Sequence, residues 1–354
     1  MTRPGLDAAR AVLAAFGLPP DARLEPVTSG HINESWRVRA PGDEVLLQWL
    51  NHEVFTATDA VQDNVERVLD QLVARAPGLA VATLRCAPDG ARRVRSASGL
   101  WRAFDYLPGA VVHERPLDAA MAHAAGVALG SVLHGLVGLS PACIEPVLPG
   151  FHDLDVRLAA FDAALGAADA GRKADAAEVL ARLLALRAGR SACAPTGAPV
   201  RVLHGDPKFT NFLFPVAGSG PVTLIDWDTV MAGPLAWDFG DFLRSAACSG
   251  REDAPAEARV EPERLRAAAS GFLEGLCEPL PGAERDALVQ APAHMAFMLA
   301  VRFLTDHLAG DRYFRVHRPG QNLDRARAQL ALAEAFEGCE AVLRSVVDDV
   351  LRKE

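Results

Sequence analysis

The segment from His204 to Phe214, HGDPKFTNFLF, followed by TLIDWD ending at Asp228, constrains this chain more than any other. It sets Lys208 and Asn211 two and five residues after Asp206. An apolar run, Pro221-Val222-Thr223-Leu224-Ile225, then ends on Asp226, twenty residues beyond Asp206. The run has the composition of a buried strand. A carboxylate at the end of such a strand is costly unless something compensates it. The chain must therefore fold so that a loop and a strand end deliver two carboxylates, an amide and an ammonium to one place.

Phosphoryl transfer from ATP uses these parts. A hydroxyl is a poor nucleophile, and a carboxylate at 206 would orient it and accept its proton. Asn211 and Asp226 offer the oxygen ligands that Mg²⁺ demands, and a bound cation would offset the cost of a carboxylate at 226. Asp228 could reach a second Mg²⁺ or the acceptor, or be a solvated loop residue. Lys208 could stabilise charge on the transferred γ-phosphoryl. His204 reads as a buttress of the loop rather than a base. The protein-kinase catalytic loop has the same offsets. Asp238-Phe239-Gly240 spells the kinase metal tripeptide, but it lies 32 residues after Asp206 and opens a helix-like segment, FGDFLRSAA. Asp226 takes the metal role instead, and Asp238 and Asp241 read as structural, capping a helix or bracing the loop.

A chain of 354 residues is long enough for two lobes. Half its residues are apolar, and a net charge of -9 leaves no basic stripe for nucleic acid. The six cysteines form no CxxC pair, so reduced thiols and a cytoplasmic location are expected. Ala119 to Leu139 is apolar but carries His123 and His134, and it reads as a core helix rather than a membrane span. No membrane association and no obligate protein partner are expected.

The first 107 residues read as a small mixed α/β lobe that binds the nucleotide. Strand patterns run over Ile32–Val38, Val45–Leu50, 80–86 and Leu100–Tyr106, with a helix over Asp59–Arg75. Leu107-Pro108-Gly109 interrupts the pattern. Residues 108–354 form a second, mainly helical lobe for catalysis and acceptor binding. Helical periods cover Asp118–Leu136, Val156–Leu165, Ala174–Ala188, Pro262–Leu276, Ala291–Leu308 and Asn322–Leu351. The fold class is thus α+β in two lobes. In the first, the turn holding Ser29, Gly30, His31 and Asn33 could present backbone amides to phosphates, although there is no GxxxxGK sequence.

HGDxxxxN with a following IDxD resembles the aminoglycoside phosphotransferase-like family of small-molecule kinases. SGHINESWRV, LLQWLNHEVFTATDAVQDNVERV, LPGFHDLDVR, IDWDTVMAGPLAWDFGDFLRS and RFLTDHLAGDRYFRVHRPGQNLDRARAQLAL resemble its N-acetylhexosamine 1-kinase branch. The resemblance spans residues 29 to 332 and implies a two-lobed kinase-like fold, ATP and Mg²⁺ in the cleft, and direct transfer to a substrate hydroxyl. It also implies a departure. The strand that usually carries a phosphate-gripping Lys reads LLQWL, with Gln48 at that place, so no ion pair to a helix acid such as Glu66 can form there. Anchoring of ATP is left to the 28–33 turn, Lys208 and metal.

Only eleven residues separate Asp226 from Asp238, too few for the activation segment that holds a peptide substrate. From Arg302 to Arg325 the chain carries five Arg against three Asp, which suits a neutral or anionic acceptor better than a cationic antibiotic. A sugar fits, with Arg302 and Tyr313 among its contacts, on either side of a helix stop at Gly310. The alternatives are another acceptor, such as an amino alcohol or aminoglycoside, and a pseudokinase that only binds nucleotide.

Overall fold

A computed structural model describes residues 3–27, 32–190, 198–216 and 220–351. After a short helix α1 (Leu6–Ala11), strands β1 (Arg23–Val27), β2 (Glu34–Ala40) and β3 (Asp43–Trp49) form an antiparallel meander. Helix α2 (Thr58–Arg75) follows, then β4 (Val94–Ser96) and β5 (Gly99–Asp105), which complete a five-stranded sheet in the order β1-β2-β3-β5-β4. Alternation along each strand gives the sheet two unlike faces. Trp36, Val38, Val45, Leu47, Trp101 and Ala103 pack with Leu13 and Phe16 into a small core of their own. The opposite face carries Ser35, Gln48 and Arg102, and it looks toward the rest of the molecule.

Helix α2 lies between the two halves. Its Val65, Val68, Leu69 and Leu72 belong to the large core shared with the carboxy-terminal part, while Val73, on the other side of the helix, is exposed. The strand expected over 80–86 is reduced to two isolated bridges, Val81 with Leu224 and Leu84 with Phe104. Its two ends pair with different sheets, so no continuous ladder forms.

Beyond β5 come β6 (Ala110–Val112) and the helices α3 (Ala119–Gly135), α4 (Leu154–Ala167), α5 (Ala170–Asp175) and α6 (Ala177–Arg187). Asp118 caps α3 by accepting the Met121 N–H. The site region supplies β7 (Val200–Leu203), β8 (Phe212–Pro215), β9 (Thr223–Leu224), β10 (Met231–Pro234) and α7 (Leu235–Ala246). The ribbon of β11 (Cys248–Ser249) and β12 (Arg259–Val260) precedes α8 (Pro262–Leu276), α9 (Gly282–Ala309), α10 (Gln321–Glu337) and α11 (Glu340–Leu351). α3 and α8 meet backbone to backbone: a Cβ on Gly130 would lie 2.1 Å from the Phe272 carbonyl oxygen.

Three helical segments differ from expectation. Ala174–Ala188 breaks at Ala176 into α5 and α6, and Asn322–Leu351 breaks at Gly338 into α10 and α11. α9 begins at Gly282 and tolerates Pro292 within it. It is long and apolar enough to cross a membrane by composition, but its most apolar stretch is almost wholly buried inside the fold.

Candidate active site

Two loops make the site, and the short strands hold them together. β7 pairs with β10, and β8 pairs with β9, so residues 204–211 and 225–229 leave neighbouring strand ends side by side. The Ile225 N–H donates to the Asn211 carbonyl at 2.9 Å, and Thr229 Oγ1 donates to the His204 carbonyl at 3.0 Å. His204 is fully buried, and loss of hydration pushes its pKa down to about 4. The ring is therefore neutral: Nε2–H donates to the Ile225 carbonyl at 3.0 Å and Nδ1 accepts the Asp206 N–H at 3.3 Å. One imidazole thus links the backbones just before Asp226 and at Asp206.

Gly205 takes φ +87°, and a Cβ there would stand 2.2 Å from the Thr229 carbonyl oxygen, so only glycine lets the loops approach this closely. Buried Asp238 on α7 receives the backbone N–H groups of His204 at 2.8 Å and Gly205 at 2.9 Å. It braces the loop; α7 has no side-chain cap. Burial raises the Asp238 pKa to about 7, against the two N–H bonds, which favour the charged form. His152, which sequence reasoning did not single out, closes the other side by donating from Nε2 to the Gly205 carbonyl at 2.6 Å.

At Asp206, Oδ2 accepts from Lys208 Nζ at 2.6 Å and from Asn211 Nδ2 at 3.3 Å. Oδ1 has no hydrogen-bond partner among the described residues. Burial opposes ionisation of Asp206, but the Lys208 charge and hydrogen bond outweigh it, and the pKa is lowered. Asn211 points its amide nitrogen at Asp206, also donating to the Asp206 carbonyl at 2.8 Å, and its Oδ1 accepts no hydrogen bond among the described residues. Asp226 has φ 69°, a left-handed conformation uncommon outside glycine, and no hydrogen-bond partner among the described residues. Although open to solvent, it stands among enough protein that dehydration, joined by repulsion from Asp228, raises its pKa to about 6. No cluster of three His, Cys, Asp or Glu side chains suited to a metal occurs among the described residues. One carboxylate and one amide oxygen nevertheless fit Mg²⁺, which binds through few protein ligands when phosphates and water complete its shell.

Three expected site residues are engaged otherwise. Asp228 is 2% exposed and forms a buried ion pair with Arg102 of β5. Its other oxygen accepts Asn33 Nδ2 at 2.5 Å. Both oxygens of Asp228 thus have partners, whereas Asp226 has none among the described residues. Asn33 is fixed in turn, its Oδ1 accepting the Asn51 N–H at 3.0 Å. Gln48 faces Arg102 across β3 and β5, takes Arg102 Nε at 2.8 Å on its Oε1, and donates from Nε2 to Ser35 Oγ at 3.1 Å. Glu66 associates with Gln62 and Arg93, away from Gln48. Ser29, Gly30 and His31 lie outside the described residues.

Where an acceptor was expected, buried Asp306 accepts the backbone N–H groups of Arg312, Tyr313 and Phe314 at 2.8–2.9 Å. This folds the chain back beyond Gly310. Arg302 then lies 4.4 Å from the Phe151 ring centroid, 5.5 Å from that of Phe314 and 6.0 Å from that of Tyr313. Arg157 approaches the same Phe151 ring at 5.6 Å. Neither guanidinium has a carboxylate partner among the described residues. Burial, joined by repulsion from Arg302, lowers the Arg157 pKa to about 10.

The sequence pattern of the phosphotransferase enzyme family (APH) matches residues 23–272. Among solved structures, a microcompartment-associated aminopropanol kinase is similar at 18% identity and a TM-score of 0.60, over 95% of this chain and 98% of that one. An aminoglycoside phosphotransferase from Alicyclobacillus acidocaldarius gives 18% and 0.58, over 99% and 98%. A spectinomycin phosphotransferase in complex with ADP and spectinomycin gives 13% and 0.59, over 95% and 99%. At these identities the likeness speaks for the fold: a sheet-rich first lobe and a helical second one, as in the kinase-like phosphotransferases.

Proposed function

Because the chain belongs to the aminoglycoside phosphotransferase-like family of small-molecule kinases, we propose that it moves the γ-phosphoryl group of ATP to a hydroxyl of a hexose or N-acetylhexosamine. Residues 1–107 would hold the nucleotide and residues 108–354 the catalytic loop and the acceptor. The acceptor hydroxyl meets the free Oδ1 of Asp206, which orients it and takes its proton. In a loose transition state the base need not be strong, and the lowered pKa of Asp206 is consistent with late proton transfer. Lys208 holds Asp206 in place and puts a positive charge beside the transferred group. Mg²⁺, held by Asn211 Oδ1 and Asp226, would neutralise charge on the phosphates.

The observation that carries the sugar reading is the pair Arg302 and Arg157 among Phe151, Tyr313 and Phe314, neither in a salt bridge among the described residues. Such a cluster would repel an ammonium and would offer hydroxyl and acyl oxygens both donors and a ring face. The test is ADP release with Mg²⁺-ATP against sugars, amino alcohols and aminoglycosides. Turnover confined to amino alcohols or aminoglycosides would remove the sugar reading and leave the kinase one.

A further inference from the structure

A kinase cleft needs a fixed cation near the nucleotide phosphates, and β3 carries Gln48 where a lysine would serve. The facing position on β5 holds Arg102, which is 1% exposed. A guanidinium has five N–H donors. The Nε–H goes to Gln48, and the Nη2 group goes to Gln48 and Asp228. Nη1 is enclosed and has no hydrogen-bond partner among the described residues. A buried donor left without an acceptor is unfavourable, and it calls for a water or a ligand atom as its partner.

The surroundings of Arg102 suggest that use. Asp228 ties it to the loop that bears Asp226. Asn33, at the end of the turn expected over the phosphates, binds the same Asp228. Arg102 therefore stands where the small-lobe sheet, Asn33 and the loop bearing Asp226 converge, oriented by a glutamine whose other end is fixed on Ser35. We propose that Arg102 is the phosphate-gripping cation of the nucleotide site, moved one strand over from β3 to β5, with the free Nη1 group as its donor to phosphate oxygen. Gln48 is then a positioning residue rather than a ligand.

This inference rests on the reading that the cleft takes ATP, and its test is nucleotide binding by calorimetry, without acceptor. The affinities of ATP, ADP, AMP and adenosine are compared in the full chain with Mg²⁺. Arg102→Gln should weaken ATP on the order of 10- to 10²-fold, the worth of a charge-assisted hydrogen bond, while adenosine changes by less than about threefold. Because Arg102→Gln leaves Asp228 buried without its partner, the double variant Arg102→Gln/Asp228→Asn is compared with Asp228→Asn alone. The preference for ATP over adenosine should collapse in the double variant and persist in the single one. An unchanged preference, or parallel loss of ATP and adenosine, would overturn the assignment and leave Arg102 a structural residue. Absence of any nucleotide binding by the unaltered protein would instead overturn the kinase reading itself.

Discussion

Asp226→Asn should make the protein more stable at neutral and alkaline pH while removing its metal-dependent binding of ATP. Asp226 makes no hydrogen bond among the described residues, and dehydration by the surrounding protein together with Asp228 raises its pKa from 3.8 to about 6. The unfolded chain releases this proton near the ordinary value, whereas the folded protein keeps it until about pH 6. The folded state therefore loses relative stability as the pH rises between those values. A shift of this size is nominally about 3 kcal/mol. Because the side chain is open to solvent, screening reduces it to about 1 kcal/mol. With an unfolding entropy of roughly 2.1 cal/mol/K per residue, that is about 1–2 °C in Tm for a chain of this length. Scanning calorimetry of both proteins in chelator should find no difference near pH 4 and a gain of that size near pH 8. A difference that does not depend on pH, or a lower Tm for Asp226→Asn near pH 8, would refute the reasoning. It would mean that the carboxylate has a stabilising partner in the folded chain.

Three further outcomes are expected. Asp206→Asn should keep the fold and nucleotide affinity but lose turnover by several powers of ten, since orientation and proton acceptance both reside in that carboxylate; single-turnover kinetics checks it, and near-normal rates would exclude Asp206 as base. Asp238→Ala should lower stability by about 2–6 kcal/mol, because two buried N–H groups of the loop lose their acceptor at about 1–3 kcal/mol each; urea unfolding measures it, and a loss under about 1 kcal/mol would mean the loop holds without that brace. Arg302→Ala should reduce kcat/KM for the acceptor on the order of 10²-fold with little change in KM for ATP, and an equal effect on both would place Arg302 outside the acceptor site.

That the loops carrying Asp206, Asn211 and Asp226 would meet was legible because their residues lie close in sequence and their spacing sets a loop beside a strand end. Arg102 was not. It sits in Gly99–Asp105, an apolar run in which one arginine reads as a solvent-facing strand residue. Its meaning comes from the register of β5 against β3 and from Asp228, 126 residues away. Arg157 and His152 were missed for the same reason, since only tertiary contacts bring them to Phe151 and Gly205. Asp228 was legible as important but not for its task, because nothing local reveals that both its oxygens are taken. Helix boundaries failed where one break residue mattered: the apolar pattern continues through Ala176 and Gly338 although the backbone does not.

The buried course of α9 has a consequence for how the chain is made. During synthesis its 28 residues leave the ribosome before α10 and α11 exist. One flank can dock on α4 and α7, which are already made, but the flank that α10 covers stays bare until residue 337 has been added. For that interval the nascent protein displays a stretch apolar enough to be taken for a membrane anchor. A chain ended before Gln321 would keep that surface for good and would be prone to aggregate, although every residue of the catalytic loops is present.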